Sequence, residues 1–312
     1  MKKSIILNDI TCLDAAEVWI DPETPNFVVV DGISKMVSVE VFGNVDENEQ
    51  VIVDFSNLKK VLKDLIDDPS LGYDHKLLMN LGDYSKDCVH FGCDIKKSMK
   101  KGKPRDCLRI YDGERMVFEV KGQDFLRVYD GLLQDSIGEY LTHNASAVYG
   151  RPIDVKVTLS GKATKEMDGK FRAYFNYMHG LRNSSSFGCQ NIIHGHRSFV
   201  QVFLKNGDVD EKLSKDIARY MDGCYIFNDK TLKTHFVIND EYEYYRIKYN
   251  SKSRGKWTMV LPTNYFLPLD NEPTIENIVD HIAYVYRDDL KLVNAHSIVI
   301  SEGLTKAGCV VL

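Results

Sequence analysis

Residues 187–196 read FGCQNIIHGH, and residues 27–36 read FVVVDGISKM. The later stretch holds a cysteine, four residues, and then two histidines separated by one glycine. The earlier one has the same apolar build-up and the same glycine, but it carries Asp31 and Ile33 where the other has His194 and His196. In a strand, residues i and i+2 point to one face, so the two histidines project together, with Gly195 leaving room behind them.

Working outward, the likeness between the two stretches extends into a repeat. DGISKMVSVEVFGNVD from Asp31 lies over HGHRSFVQVFLKNGDVD from His194, and both end in a glycine-containing turn and Val-Asp. Downstream, GYDHKLLMN (72–80) sits opposite YMDGCYIFN (220–228). CLRIYDGERMVFEVKG (107–122) matches HFVINDEYEYYRIKYN (235–250), each a hairpin signal of two β-rich runs around an Asp-containing turn. SIGEYLTHNASAVY (136–149) parallels TIENIVDHIAYVY (274–286) at helical spacing, and a strand follows each: DVKVTLSG (154–161) and SIVISEG (297–303). FSNLKKVLKDLID (55–67) adds an amphipathic helix. The chain reads as an α+β protein in two copies of one unit, residues 1–168 and 169–312. The expected order in each is strand, long strand, helix, hairpin, helix, strand.

Composition narrows the functional classes. The 312 residues are 44% hydrophobic and 27% charged, enough for a core in each copy. A formal charge of −5 gives no general pull toward nucleic acid or an anionic membrane. No apolar run reaches the roughly 18 residues of a membrane helix, and Asn8 and Asp9 cut short the only candidate signal core. The seven cysteines are an odd number without paired spacing, which favours free thiols and a cytoplasmic setting. The basic run KKSMKKGKPR (96–105) reads first as a solvated loop, with a binding arm as the alternative.

The chemistry is divided between the copies. His179 ends the apolar stretch before His194, and if that stretch is the antiparallel neighbour, three imidazoles converge. Three histidines with an open fourth position describe a catalytic zinc site. Spacing alone leaves open two surface histidines and one satisfied core histidine. Cys189 is then a base or nucleophile beside a cation, a fourth ligand, or an inert loop thiol. The first copy has Glu17, Asp31 and Ile33 in the three histidine places, and Ile33 has no ligand atom. Yet it keeps Asp74-His75 where the second copy has Asp222-Gly223. An adjacent Asp-His is more often a turn than an acid–base pair. What raises it is reciprocity, since each copy lacks what the other has kept.

Taken in order, CQNIIHGH (189–196), DFSNLKK (54–60), YDHKLLMN (73–80), PTIEN (273–277) and ISEGLTKAG (300–308) resemble the motifs of the 6-pyruvoyltetrahydropterin synthase and 6-carboxytetrahydropterin synthase family. The resemblance covers both copies. It implies a tandem of two tunnelling-fold units, each an antiparallel four-stranded sheet with two helices on one face, plus an inserted hairpin. It implies zinc on His179, His194 and His196, Cys189 as the base, Asp74 and His75 as an acid–base pair working from the other side of the pterin, and Glu302 as the anchor of the pterin ring. The activity implied is a zinc-dependent lyase acting on 7,8-dihydroneopterin triphosphate. The product favoured is 6-carboxytetrahydropterin, on the 7-deazaguanine (queuosine-type) branch, over 6-pyruvoyltetrahydropterin. A homo-oligomer, either a trimer or a dimer of trimers, is implied as well. The rival class is a non-catalytic scaffold. Neutral decay would erode both halves of a site, whereas here every role survives somewhere in the chain.

Overall fold

The structure is a computed structural model. It describes residues 3–21, 23, 27–45, 51–80, 88–93, 106–122, 126–129, 131–161, 170–230, 232–238 and 242–312. The expected boundary at residue 168 and the basic run 96–105 lie outside the described residues.

The first half begins with a long antiparallel pair, β1 (Lys3–Ile20) and β2 (Val28–Gly43). Strand β8 (Asp154–Ser160) pairs antiparallel with β2. On the other side, β3 (Leu77–Asn80) runs parallel to β1, and β7 (Leu126–Tyr129) runs parallel to β3. The order is therefore β7-β3-β1-β2-β8. Helices α1 (Phe55–Ile66) and α2 (Leu133–Tyr149) bury Leu58, Leu62 and Ile66, and Ile137, Leu141 and Ala145. Each set has i, i+4, i+8 spacing, which forms one stripe along a helix. Both stripes pack in one core with Leu13, Ala15, Val37, Val39 and Val157.

The second half repeats this plan with β9 (Ala173–His179), β10 (His194–Leu204), β11 (Cys224–Asn228), β15 (Phe266–Leu269), β16 (Ala295–Glu302) and a further strand β17 (Lys306–Val311). Its order, β15-β11-β9-β10-β16-β17, matches the first sheet term by term before β17 is added. Helix α3 (Glu211–Met221) is capped by Asp210, whose side chain accepts from Leu213 N at 2.8 Å. Helix α4 (Ile275–Val285) is capped by Thr274, and α5 (Arg287–Leu292) follows it. Leu213, Ile217 and Met221 pack with Ile278, Ile282, Phe175 and Val200.

These sheets differ from the expected antiparallel four-stranded ones. They have five and six strands and mixed direction, because the short strand after each Asp motif returns parallel to the first strand. The inserted hairpins also do more than decorate each half. Strands β4 (Val89–Cys93), β5 (Asp106–Asp112) and β6 (Arg115–Lys121) join β12 (Leu232–Ile238), β13 (Tyr242–Ser251) and β14 (Gly255–Pro262) in a third sheet, β12-β13-β14-β6-β5-β4. The join is antiparallel, with Met259 opposite Val120. This symmetry sets residues 107–122 against β13 and β14, one strand later than the expected match to 235–250. A lone hairpin is marginal in water. Paired across the halves, the six strands bury Leu108, Val120, Trp257 and Met259 against Val18, Met79, Met178 and Tyr225 in one cluster.

The two long hairpins meet where β2 and β10 cross, at Gly32 and Gly195. A Cβ on Gly195 would lie 2.9 Å from Tyr177 O and 3.1 Å from Ala15 O, and well inside contact with Gly32 Cα. A Cβ on Gly32 would lie 2.7 Å from His196 N. Ser34 Oγ accepts from Arg197 N at 2.9 Å beside the crossing. This backbone approach brings side chains of both halves into one place.

Candidate active site

His179 is the last residue of β9 and His194 the first of β10, and they stand directly opposite each other. His196 follows on the same strand. All three side chains are buried, and their ring centroids lie 4.5 to 5.4 Å apart. Their ligand atoms fall within 4.8 Å of one another.

The outer nitrogens decide the tautomers. His179 Nδ1 lies 2.7 Å from Pro273 O, so it carries the proton and donates, leaving a lone pair on Nε2. His196 Nδ1 faces the Asp14 carboxylate at 3.3 Å, which favours the proton there and a lone pair on its Nε2. Those two Nε2 atoms are 3.1 Å apart. Two facing lone pairs at that distance call for a cation between them. Nitrogens bound to one tetrahedral zinc at about 2.0–2.1 Å are spaced about 3.3 Å from each other. Neither ring nitrogen of His194 meets hydrogen-bond geometry, although the Asn191 backbone is near enough to favour a proton. Burial, together with the neighbouring imidazoles, holds His179 and His194 well below the ordinary imidazole pKa, so both are neutral donors. The donor set fits zinc.

Asp14 comes from the other half of the chain, on β1. Ser34 Oγ donates to its Oδ1 at 2.5 Å. Burial would raise its pKa, but the neighbouring His196 imidazole and the Ser34 hydroxyl lower it, so Asp14 stays ionised beside its histidine. This is the carboxylate–histidine support common around bound metals. Sequence reading missed Asp14, Ser34 and Pro273. The available signal was the Pro-Thr pair before α4, read there only as a motif.

Asp74 and His75 reach the same place from the first half. Asp74 Oδ1 accepts from Asp14 N at 2.9 Å, and Asp74 Oδ2 binds His75 Nδ1 at 2.5 Å. His75 has φ of +55°, in the left-handed region that costs a non-glycine residue about 1–3 kcal/mol. The equivalent Gly223 has φ of +71°. The turn is thus left-handed in both halves, and only the first half bears the strain of a histidine. His75 is held there by its N–H to Asp14 O at 2.6 Å and by Asn191, whose Nδ2 donates to His75 O.

Cys189 sits on a single 3₁₀ turn, Gly188–Gln190, and its Sγ lies 3.5 Å from His75 Nε2. Gly188 makes the approach possible, since a Cβ there would come within 2.8 Å of the His75 ring. Burial disfavours charge on both groups, but the partners outweigh it. Asp74 and Cys189 hold His75 well above the ordinary imidazole value, while His75 and a hydrogen bond from Ser186 lower the Cys189 thiol. The three side chains form an Asp–His–Cys relay, the arrangement that activates a thiol. The expectation of Cys189 and His75 on opposite sides of a substrate gives way to a direct hydrogen bond between them. Glu302 Oε1 faces the histidines at 3.7 Å from His179 Nε2 and 3.9 Å from His196 Nε2.

The corresponding place in the first half is closed by hydrogen bonds. Glu17 and Asp31 pair across β1 and β2 as His179 and His194 do across β9 and β10. Tyr129 OH donates to Glu17, and Asn176 Nδ2 donates to Asp31 Oδ2 at 2.7 Å. Among the described residues, both groups able to hold a metal include His194. No described helix is long and apolar enough to cross a membrane.

No family model matches the chain, and no curated protein matches it. Among solved structures it is similar to the 6-pyruvoyl tetrahydropterin synthase of Plasmodium vivax at 15% identity, with a TM-score of 0.31, covering 44% of this chain and 90% of that one. The Plasmodium falciparum 6-pyruvoyl tetrahydropterin synthase gives 17% identity and a TM-score of 0.31 over the same shares, 44% and 90%. An uncharacterized protein from Wolinella succinogenes gives 16% and 0.30, over 45% of this chain and 95% of that one. Likenesses of this size carry no weight for activity, which rests on the geometry.

Proposed function

We propose that this chain is a zinc-dependent lyase of the 6-pyruvoyl- and 6-carboxytetrahydropterin synthase type, acting on 7,8-dihydroneopterin triphosphate. In this reading residues 1–168 and 169–312 are two tandem tunnelling-fold units, and the working site is shared between them. The observation that carries it is the convergence of three buried imidazoles, with Nε2 of His179 and of His196 3.1 Å apart, beside an acid–base relay drawn from both halves.

His179, His194 and His196 would hold zinc, which when bound supplies Lewis-acid polarisation of the hydroxyl and carbonyl oxygens of the substrate side chain. The Cys189 thiolate takes a proton from a side-chain carbon. His75, protonated and oriented by Asp74, returns one, and its hydrogen bond to Cys189 lets the pair exchange protons within the site. Glu302 accepts N–H groups of the pterin ring. The product expected is 6-carboxytetrahydropterin, for a cytoplasmic deazaguanine branch, from an enzyme assembled as a trimer or a dimer of trimers.

Incubating the purified chain with 7,8-dihydroneopterin triphosphate and weighing the product by mass spectrometry tests the reading, and separates the carboxy from the pyruvoyl product. Metal analysis should find one tightly held zinc per chain, lost in His194→Ala and kept in Asp31→Ala. No turnover by the zinc-loaded chain would overturn it in favour of a scaffold.

A further inference from the structure

We propose that Cys189 and His75, with His194, form a second metal site that captures a thiophilic divalent cation, such as cadmium or excess zinc, and thereby disables the acid–base relay. This rests on the reading above, since it describes inhibition of that same site.

Three observations support the site. First, Cys189 Sγ and His75 Nε2 are 3.5 Å apart. A tetrahedral centre with a sulfur at about 2.3 Å and a nitrogen at about 2.0–2.1 Å sets those two ligands about 3.5 Å apart. Second, Asp74 engages His75 Nδ1 and so aims Nε2 at the thiol, a ready-made outer support for a metal-bound imidazole once the shared proton has left. Third, the ligand atoms of His75, Cys189 and His194 lie within 4.8 Å of one another. His194 belongs to both groups, so with zinc on the three histidines a second cation would share this imidazole, which can bridge the two only as an imidazolate that has given up its ring N–H proton.

The two sets differ in softness. The all-imidazole set suits zinc, whereas a thiolate favours softer cations. Binding forms one metal–sulfur and two metal–nitrogen bonds, releases to solvent the proton shared by Cys189 and His75 together with the ring N–H proton of the bridging His194, and oxidises nothing. His75 and Cys189 are both partly exposed, so water can reach the open coordination positions. The occupied thiolate can no longer accept a proton.

The test is a cadmium titration of the zinc-loaded chain under a reductant that does not bind metals. It follows the ultraviolet cadmium–thiolate charge-transfer band and the metal retained after gel filtration. The wild-type chain should take a second equivalent, with the band complete at that point. Cys189→Ser should lose the band and the second equivalent while keeping its zinc, and His75→Ala should bind the second cation about tenfold or more weakly. No second equivalent in the wild type, or an undiminished band in Cys189→Ser, would overturn the proposal. His179→Ala separates the two readings. It should lose the tight zinc yet still show the band; tight zinc retained in that variant would defeat the three-histidine site instead, and leave the band to judge the second one.

Discussion

Cys189 Sγ and His75 Nε2 lie 3.5 Å apart although 114 residues separate them in the chain. One comes from the half that carries the histidine cluster and the other from the half that has Glu17, Asp31 and Ile33 in its place. The relay is therefore complete within a single chain. Mixing His75→Ala with His194→Ala should then recover no activity, because every site in the mixture carries one of the two lesions. Assays on co-refolded mixtures check this. Recovery of a fraction of wild-type turnover would mean that the pairing forms between chains.

Removing the Cys189 thiol should separate proton transfer from metal binding. Cys189→Ala is expected to lower turnover about 10²–10⁴-fold, the usual contribution of a positioned acid or base. Its zinc content should match the wild type. Loss of zinc in that variant would make Cys189 a ligand of the first metal.

Asp14 reaches across from β1 to the outer nitrogen of His196. Asp14→Asn keeps the size but removes the charge that favours the proton on Nδ1. Zinc affinity, measured by competition with a chromophoric chelator, should fall about 10–100-fold, the usual cost of losing such outer support. An unchanged affinity would make the contact incidental.

The crossing of β2 and β10 leaves no space for a methyl group on Gly195, and the atoms in the way are backbone. Overpacking of this kind costs about 1–3 kcal/mol or more when the neighbours cannot yield. Gly195→Ala should lower unfolding stability by at least that much and weaken zinc binding with it. Gly207→Ala is a control for an open position, where a Cβ meets nothing within 4 Å but the backbone is strained at φ of +87°. Denaturant unfolding of both variants gives the comparison.

Burial raises Asp31 to about 6, against the hydrogen bonds from Asn176 and Gly32. Its unfolded value is about 3.9. Between those values the folded chain holds more protons than the unfolded one, so this group makes stability fall as pH rises from about 4 to about 6. The amide introduced by Asp31→Asn does not titrate. The substitution gives up one accepted hydrogen bond, a constant cost of about 1 kcal/mol, but should gain on the wild type as pH rises through that window. Urea unfolding at a series of pH values measures it, and parallel curves for the two proteins would contradict the assignment.

Much of this was legible in residue order. The i, i+4, i+8 apolar stripes marked the helices, and alternation marked the long strands, because both periods follow from local backbone geometry. The histidine pair, Cys189 and the Asp74-His75 step stood out by residue type, and the reciprocal loss between copies pointed to one shared site. Strand direction and partner were not legible. Alternation shows which face is buried but not which edge is met, so the parallel return of β3 and β11 and the joining of β6 to β14 appear only in the fold. Asp14 carried no signal, because its role depends on a histidine in the other half. What brings them together is the close crossing at Gly32 and Gly195, a contact between backbones remote in sequence that only tertiary packing can make.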